Sequence, residues 1–402
     1  MKKVYIVAAK RTAVGSFLGT LKGVHAAELG APLVKNILES TKVDPSKIDE
    51  VIVGNILPAG LGQNVSRQVS IKGGVPVEVP AYSINMACGS AMKAIMNGTI
   101  AIKAGYANLI LAGGVESMSR APMLLPETVR GGMKMGEIKV KDHMIYDALT
   151  DVFNNVHMGI TAENIAVKHA ITREEQDDFA FKSQQKAIVA VDAGRFDDEV
   201  VPLEIKVGKE VLIFSRDEYP NRTTNLEKLS KLRPAFKPEG GVVTAGNASG
   251  INDGGSMVLL ASEEAVEQYQ LKPLAEIVGF GQGGVEPLYM GLGPVPAIQS
   301  ALKQANMKLS QMDLIELNEA FAAQSIGVVN ELAASCDLTK EEILTRTNVN
   351  GGAIALGHAV GSSGGRITVT LIHEMIKRQA TYGLASLCIG GGMGTALILK
   401  RI

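Results

Sequence analysis

"NMACGSAMKAIMNGTIAIKAGYANLILAGGVES", residues 85–117, decides the fold. Residues 89–104 carry apolar side chains at helical spacing without a proline, which predicts a helix. "NLILAGGVES" (108–117) is a short apolar run leading into a glycine turn, which predicts a strand. Working outward, "EVIVGNIL" (50–57) and "KVYIVAA" (3–9) read as further strands. "AAELGAPLVKNILESTK" (26–42) reads as a helix, with Leu29, Leu33, Ile37 and Leu38 near one face. This alternation implies an α/β fold, a sheet covered by helices.

The rhythm returns near the C-terminus. "LAEIVGFG" (274–281) predicts a strand and "PVPAIQSALKQANM" (294–307) a helix opened by prolines. "LIELNEAFAAQSIGVVNELAA" (314–334) runs from strand into helix, "SGGRITVTLIHEMIKRQA" (363–380) is a helix, and "GLASLCIGGGMGTALILKR" (383–401) is a strand pair. The two ends therefore read as related halves, each with a cysteine beside glycines, Cys88 and Cys388. Residues 119 to about 249 break the rhythm. They hold one clear amphipathic helix, opened by a Thr172–Glu175 capping box, within polar, turn-rich sequence. An irregular insertion of this kind on a rigid scaffold is a common place for ligand contacts.

Composition narrows the function. Of 402 residues, 40 are basic and 41 acidic, giving a net charge of −1, so no basic field points to nucleic acid. Tryptophan is absent and aromatics are 4%, which argues against base stacking. Three cysteines make no disulfide framework and suit a reducing compartment. The apolar run before Lys10 is too short for a signal peptide, and no uncharged run reaches the length of a membrane span. The expectation is a cytoplasmic protein with no membrane partner.

Cys88 stands at a predicted helix start, where the positive end of the macrodipole favours thiolate. Gly89 beside it is expected to let a substrate approach the backbone N–H groups. The alternative is a small buried hydrophobe. Cys388, in "LCIGGGMG", precedes three glycines whose N–H groups are free to donate to an oxyanion, or it simply ends a strand. Cys336 has neither feature. Among six histidines, His358 stands out, ringed by glycines in "NGGAIALGHAVGSSGGR"; His157 is a weaker ligand candidate. His25 and His169 read as ordinary helical residues, His143 as a loop residue and His373 as surface. Asn318 and Glu319 lie at a strand-to-helix junction, where Asn318 reads either as an N-cap or as an amide that orients a water. "GFGQGG" (279–284) fits a dinucleotide motif but lacks the following helix. No Walker A, HExxH or paired CxxC pattern occurs, so no metal or resident cofactor is expected.

Together "NMACGSA", "NEAFAAQ", "NVNGGAIALGHAVGSSGGRI" and "LCIGGGMGTA" resemble the thiolase family, in particular its acetyl-CoA acetyltransferases. "TAENIA", "KLRPAF" and "TAGNASGINDG" extend the resemblance over nearly the whole chain. It implies duplicated βαβαβαββ halves in a five-layered α/β/α/β/α core with an inserted loop domain. The halves would span residues 1–118, continued by 250–270, and 271–402; the loop domain, 119–249, would serve CoA binding and tetramerisation. It implies reversible condensation of two acetyl-CoA to acetoacetyl-CoA plus CoA, with CoA as substrate rather than cofactor. By resemblance Cys88 carries the acetyl group, His358 takes its proton, and Cys388 is the second acid/base. Asn318 would hold a water, and the Cys88 and Gly390 N–H groups would line an oxyanion hole. His157, Met158, Arg222, Ala245, Ser249, Met290, Ala320 and Phe321 would contact CoA or the acyl group. The sequence departs from the family at Ala359, where proline is usual and a looser loop is expected, and at Asn221, where arginine is common and Arg222 follows. Residues 333–347 look like a surface insertion. A broader 3-ketoacyl-CoA thiolase of fatty-acid breakdown, a non-catalytic acyl-CoA binder and a Cys88–Cys388 redox switch are the competing readings.

Overall fold

A computed structural model describes residues 2–402. The main strands are β1 (Val4–Arg11), β2 (Glu50–Gly54), β3 (Ala81–Ile84), β4 (Leu109–Ser117), β5 (Asn252–Ser262), β6 (Ala275–Gly284), β7 (Leu314–Leu317), β8 (Tyr382–Ile389) and β9 (Met393–Arg401). The helices of eight or more residues are α1 (Ala26–Thr41), α2 (Val65–Lys72), α3 (Ser90–Lys103), α4 (Met158–Lys168), α5 (Arg173–Asp192), α6 (Pro294–Ala305), α7 (Ala322–Ser335) and α8 (Ser363–Arg378). The strands run β3-β2-β4-β5-β1 and continue, through an antiparallel β1–β6 contact at Tyr5–Glu276 and Ile6–Ala275, as β6-β9-β8-β7. Thr347 forms a parallel bridge with Ile315 outside β7 and so takes the place that β3 has in the first half.

Both halves repeat one pattern of directions. β2 is parallel to β4, β4 antiparallel to β5, and β5 antiparallel to β1; β7 is parallel to β8, β8 antiparallel to β9, and β9 antiparallel to β6. α3 and α8 are therefore counterparts, and they pack against each other as a middle layer between the two half-sheets. α1 and α2 cover the first half-sheet outside, and α6 the second, backed by α7. Five layers result. α3 and α8 present buried residues on almost every side, as middle-layer helices must.

The elements predicted from periodicity are present, including the complete Thr172–Glu175 capping box. β5 is the longest strand that periodicity does not predict, because Asn252, Asp253, Gly254 and Gly255 open it like a turn; β3 and α2 are also unpredicted. β5 nonetheless lies fully buried at the centre of its half, between β1 and β4. A hairpin at Leu203–Val207 and Glu210–Phe214 and helix α4 are likewise unpredicted. Residues 333–347 are the end of α7 and a capped helix, Lys340–Arg346, with Ile343 buried and Arg346 donating to the Ser310 and Met312 carbonyls. His373 is not a surface residue; its Nε2 lies 2.9 Å from the Ala9 carbonyl.

Candidate active site

The turn before α3 is built to hold Cys88. Asn85 Oδ1 accepts from Ala87 N at 2.9 Å, and Ser90 Oγ accepts from Met86 N at 2.9 Å while donating to the Ala87 carbonyl at 2.6 Å. Ala87 is thereby fixed at φ +43°, a left-handed conformation that costs an alanine free energy and persists only where its surroundings impose it. Gly89 serves close packing rather than substrate approach: a Cβ there would lie 2.3 Å from Ile389 Cδ1. Ile389 follows Cys388, so this glycine lets the Cys88 turn lie directly against the end of β8.

Cys388 is 1% exposed and pairs with Gly394 across the β8–β9 hairpin. Gly391 and Gly392 make the turn at φ +86° and +85°, and a Cβ on Gly392 would lie 2.2 Å from the Val285 carbonyl. This backbone leaves the Gly390 N–H near the Cys88 sulfur, where it favours the thiolate, as does the N–H of Cys88 itself.

His358 sits 5% exposed on the loop before α8. Its backbone N–H donates to Asn252 Oδ1 at 2.8 Å, and its Nδ1 lies 2.6 Å from Ser363 Oγ. The Ser363 hydroxyl gives its one proton to the Ala359 carbonyl at 2.9 Å, so it accepts from Nδ1–H. Nε2 then carries the lone pair, buried and without a protein partner. The Ala359 carbonyl also accepts from the Ser362 and Ser363 N–H groups at 2.9 and 3.0 Å. These bonds hold the loop through the Ala359 carbonyl. Asn318, fully buried, has no bond at Oδ1 or Nδ2. It does not cap the helix; Phe321 occupies that position. An amide so placed, with no protein partner, is free to hold a water or a ligand group.

Burial governs the charges. It pushes the Cys88 thiol up to about 11, although the Gly390 and Cys88 N–H groups pull the other way. A helix terminus contributes roughly 0.3–1 kcal/mol, below one pKa unit, so at half-buried Cys88 desolvation outweighs the lowering expected from the helix start. Burial, followed by the neighbouring Cys88, also raises the Cys388 thiol. Burial and the Arg366 guanidinium push His358 down to about 4. At neutral pH the site holds two thiols and a neutral imidazole.

Met158, Met290, Ala320 and Phe321 share one buried cluster with Cys388. Met158 Sδ stands 3.6 Å from where a Gly390 Cβ would be. His157 caps α4 and stacks on Phe236 at 4.6 Å, and Phe236 meets Phe321 edge-on at 6.1 Å. Ser249 joins them through its N–H to the Ala320 carbonyl at 2.9 Å. Ala245 lines a separate cavity of about 560 Å³ together with Asn221, Tyr219 and Lys228. Arg222 is not brought to this group; its guanidinium grips Asp192 at 2.6 and 2.9 Å on the surface.

Sequence reasoning missed Glu116, whose carboxylate is fully buried at the end of β4; Glu319, noted at the strand-to-helix junction, accepts from Ser183 Oγ, Asn348 Nδ2 and the Ile354 N–H. The available signal for Glu116 was one charged side chain in an otherwise uncharged strand. The three cysteines are free. Among the described residues no His, Cys, Asp or Glu group is arranged to hold a metal ion, and no helix is long and apolar enough to cross a membrane.

A duplicated five-layer α/β scaffold brings a half-buried thiol and a buried second thiol together at the seam of two half-domains. The chain belongs to the thiolase family: models described as the thiolase N-terminal and C-terminal domains match residues 4–264 and 271–401. It is 53% identical over 402 residues to an acetyl-CoA acetyltransferase of Pseudomonas aeruginosa and 51% identical over 403 residues to one of Syntrophomonas wolfei, with all of each chain covered. Its fold matches the crystal structure of the Bacillus anthracis acetyl-CoA acetyltransferase with a TM-score of 0.95 at 41% identity, covering 100% of this chain and 99% of that one. Human mitochondrial 3-ketoacyl-CoA thiolase in complex with CoA matches with a TM-score of 0.93 at 45% identity, covering 100% and 98%.

Proposed function

We propose that the protein is an acetyl-CoA C-acetyltransferase that interconverts two acetyl-CoA with acetoacetyl-CoA and CoA through an acetyl-Cys88 intermediate. The observation that carries this reading is the packing of the Cys88 turn on the end of the strand that bears Cys388, where a Cβ on Gly89 would lie 2.3 Å from Ile389 Cδ1. Cys88 attacks the acyl carbon as His358 Nε2 takes its proton. The N–H groups of Cys88 and Gly390 then face the oxyanion; one such donor is worth about 2.7–4 kcal/mol elsewhere. CoA leaves with the proton from His358. Cys388, once it has given its own proton to solvent, removes as thiolate an α-proton from the second acetyl-CoA and is a thiol again. His358 and a water held by Asn318 stabilise the enolate oxygen, and the carbanion attacks acetyl-Cys88, releasing the Cys88 thiolate, which is reprotonated from solvent.

Met158, Met290, Ala320 and Phe321 wall the acyl pocket, while His157, Ser249 and Ala245 follow the CoA arm. Arg222 is left out because Asp192 holds it. The short acyl chain is preferred over the broader 3-ketoacyl-CoA reading because the full-length bacterial relatives at 53% and 51% identity are acetyl-CoA acetyltransferases. The test is cleavage of 3-ketoacyl-CoAs of increasing length by free CoA. Acetoacetyl-CoA is expected to react fastest, with one acetyl group recovered on the Cys88 peptide by mass spectrometry. Faster cleavage of long chains would favour the broad-range enzyme, and no acetylation at all would favour a mere binder.

A homotetramer is part of the same proposal. Met123 (65% exposed), Met135 (94%) and Phe153 (72%) are large apolar side chains left exposed on the stretch after β4, which association would cover. Light scattering is expected to give four times the chain mass; a monomer would remove this part. Free cysteines support a cytoplasmic location, and the acyl-CoA substrates support a place in fatty-acid metabolism.

A further inference from the structure

The duplication identifies a partner for Cys388 that is not Cys88. Gly54 pairs with Gly114 at the end of β2, and Leu317 pairs with Ser386 at the end of β7. Two residues beyond these equivalent points stand Glu116 and Cys388. Likewise Cys88 and the His358 loop occupy equivalent starts of α3 and α8. The two helix starts thus bring Cys88 and His358, and the two strand ends bring Glu116 and Cys388.

Glu116 makes four hydrogen bonds and no ion pair. Oε1 accepts from Asn55 Nδ2 at 2.9 Å and Leu57 N at 3.2 Å; Oε2 accepts from Ile56 N at 2.9 Å and Gly361 N at 3.0 Å. Gly361 is three residues from His358, and a Cβ there would lie 2.3 Å from Glu116 Oε2. On the other side, the Ile56 carbonyl lies 3.5 Å from Asn85 Nδ2, and Asn85 Oδ1 holds the N–H of Ala87. One carboxylate therefore links the loop of His358 to the turn of Cys88.

We propose that Glu116 is a positioning residue, a carboxylate clamp that fixes the His358 loop against the Cys88 turn. This rests on the roles proposed for those two residues. Four N–H donors suit an ionised carboxylate, which only accepts, and a carboxamide in its place would turn an NH₂ towards at least one of them. Burial pushes Glu116 up to about 7, with the Ile56, Leu57 and Gly361 N–H groups opposing. The charged and titratable groups facing the clamp are Asp253 on β5 and Cys88 at the start of α3; Cys388 at the end of β8 faces Cys88, and Arg366 on α8 faces His358.

The variants Glu116→Gln and Gly361→Ala test it, with Glu116→Asp as the conservative comparison. The readouts are steady-state thiolysis of acetoacetyl-CoA and the pH profile of Cys88 alkylation by iodoacetamide. Glu116→Gln is expected to lower kcat on the order of a hundredfold with KM little changed, because misplacing a catalytic group by about 1 Å costs that much. It is also expected to move the alkylation midpoint to lower pH, since the Glu116 charge opposes thiolate at Cys88. Slower turnover with easier alkylation is a combination that loss of stability alone does not produce. Gly361→Ala, which displaces the clamp but keeps its charge, is expected to lower kcat without that pH shift; it also carries the test should the glutamine variant not fold. Glu116→Asp should recover part of the lost kcat. Wild-type kcat and alkylation profile in Glu116→Gln would overturn the clamp. Run beside them, Cys88→Ala keeps the two ideas apart: if it is inactive while Glu116→Gln is normal, only the clamp fails.

Discussion

Cys88→Ser is expected to lower acetoacetyl-CoA cleavage on the order of 10⁴-fold, with folding and CoA binding retained. The reason is the proton, not the shape. Burial places the Cys88 thiol at about 11 and His358 at about 4, so passing the proton between them is uphill even for sulfur. The attraction between the thiolate and imidazolium formed together offsets part of that gap, as in any coupled pair. A serine hydroxyl is a far weaker acid, and every further unit costs about 1.36 kcal/mol, a factor of ten. Removing the nucleophile of another acyl-transfer enzyme costs about 2 × 10⁶ in kcat, so 10⁴ allows for some residual attack by oxygen. The Gly390 N–H still finds an oxygen to bond, and Gly89 still meets Ile389, so the turn itself is preserved. The measurement is initial rate against enzyme concentration, with peptide mass spectrometry after exposure to acetyl-CoA. A serine variant within tenfold of the wild type, or an acetyl group on another residue, would take Cys88 out of the chemistry.

Local chemistry made Cys88, His358 and Cys388 visible in the sequence. A cysteine before a helix start, a histidine among glycines and a cysteine before three glycines each show within ten residues. Glu116 was invisible for the opposite reason. Its donors come from residues 55–57 and from 361, and only the fold brings these together. The fold class was legible because the periodicity of strands and helices repeats in both halves. β5 escaped because burial on both faces selects small residues, and Gly254 and Gly255 read as a turn while lying at the middle of the sheet. Gly255 is needed there: a Cβ would lie 2.9 Å from the Leu29 carbonyl of α1. The pairing of Cys88 with Cys388 as repeat counterparts was also misleading. Register relates Cys388 to Glu116, so the duplicated scaffold carries different chemistry at equivalent points. The sign of the Cys88 shift was not legible at all, because it depends on how deeply the tertiary structure covers the helix start.

Cys388→Ala separates the two halves of the reaction. Acetyl exchange between acetyl-CoA and labelled CoA needs Cys88 and His358, and is expected to stay within about tenfold of the wild type. Condensation needs an α-proton removed, and is expected to fall roughly 10²–10⁴-fold, the usual contribution of a positioned base. Exchange of the acetyl-CoA methyl protons with solvent should fall with it. Burial keeps Cys388 protonated, and the adjacent Cys88 reinforces this. A base whose pKa is raised above the working pH supplies a thiolate fraction that grows tenfold with each pH unit. Proton exchange in the wild type is therefore expected to rise about tenfold per unit between about pH 7 and 9. Cleavage uses Cys388 as an acid, already in the state that burial favours, so its rate should depend less steeply on pH over that range. Equal loss of acetyl exchange and condensation in Cys388→Ala would mean that this sulfur acts on both steps, and a flat exchange profile would mean that another group removes the α-proton.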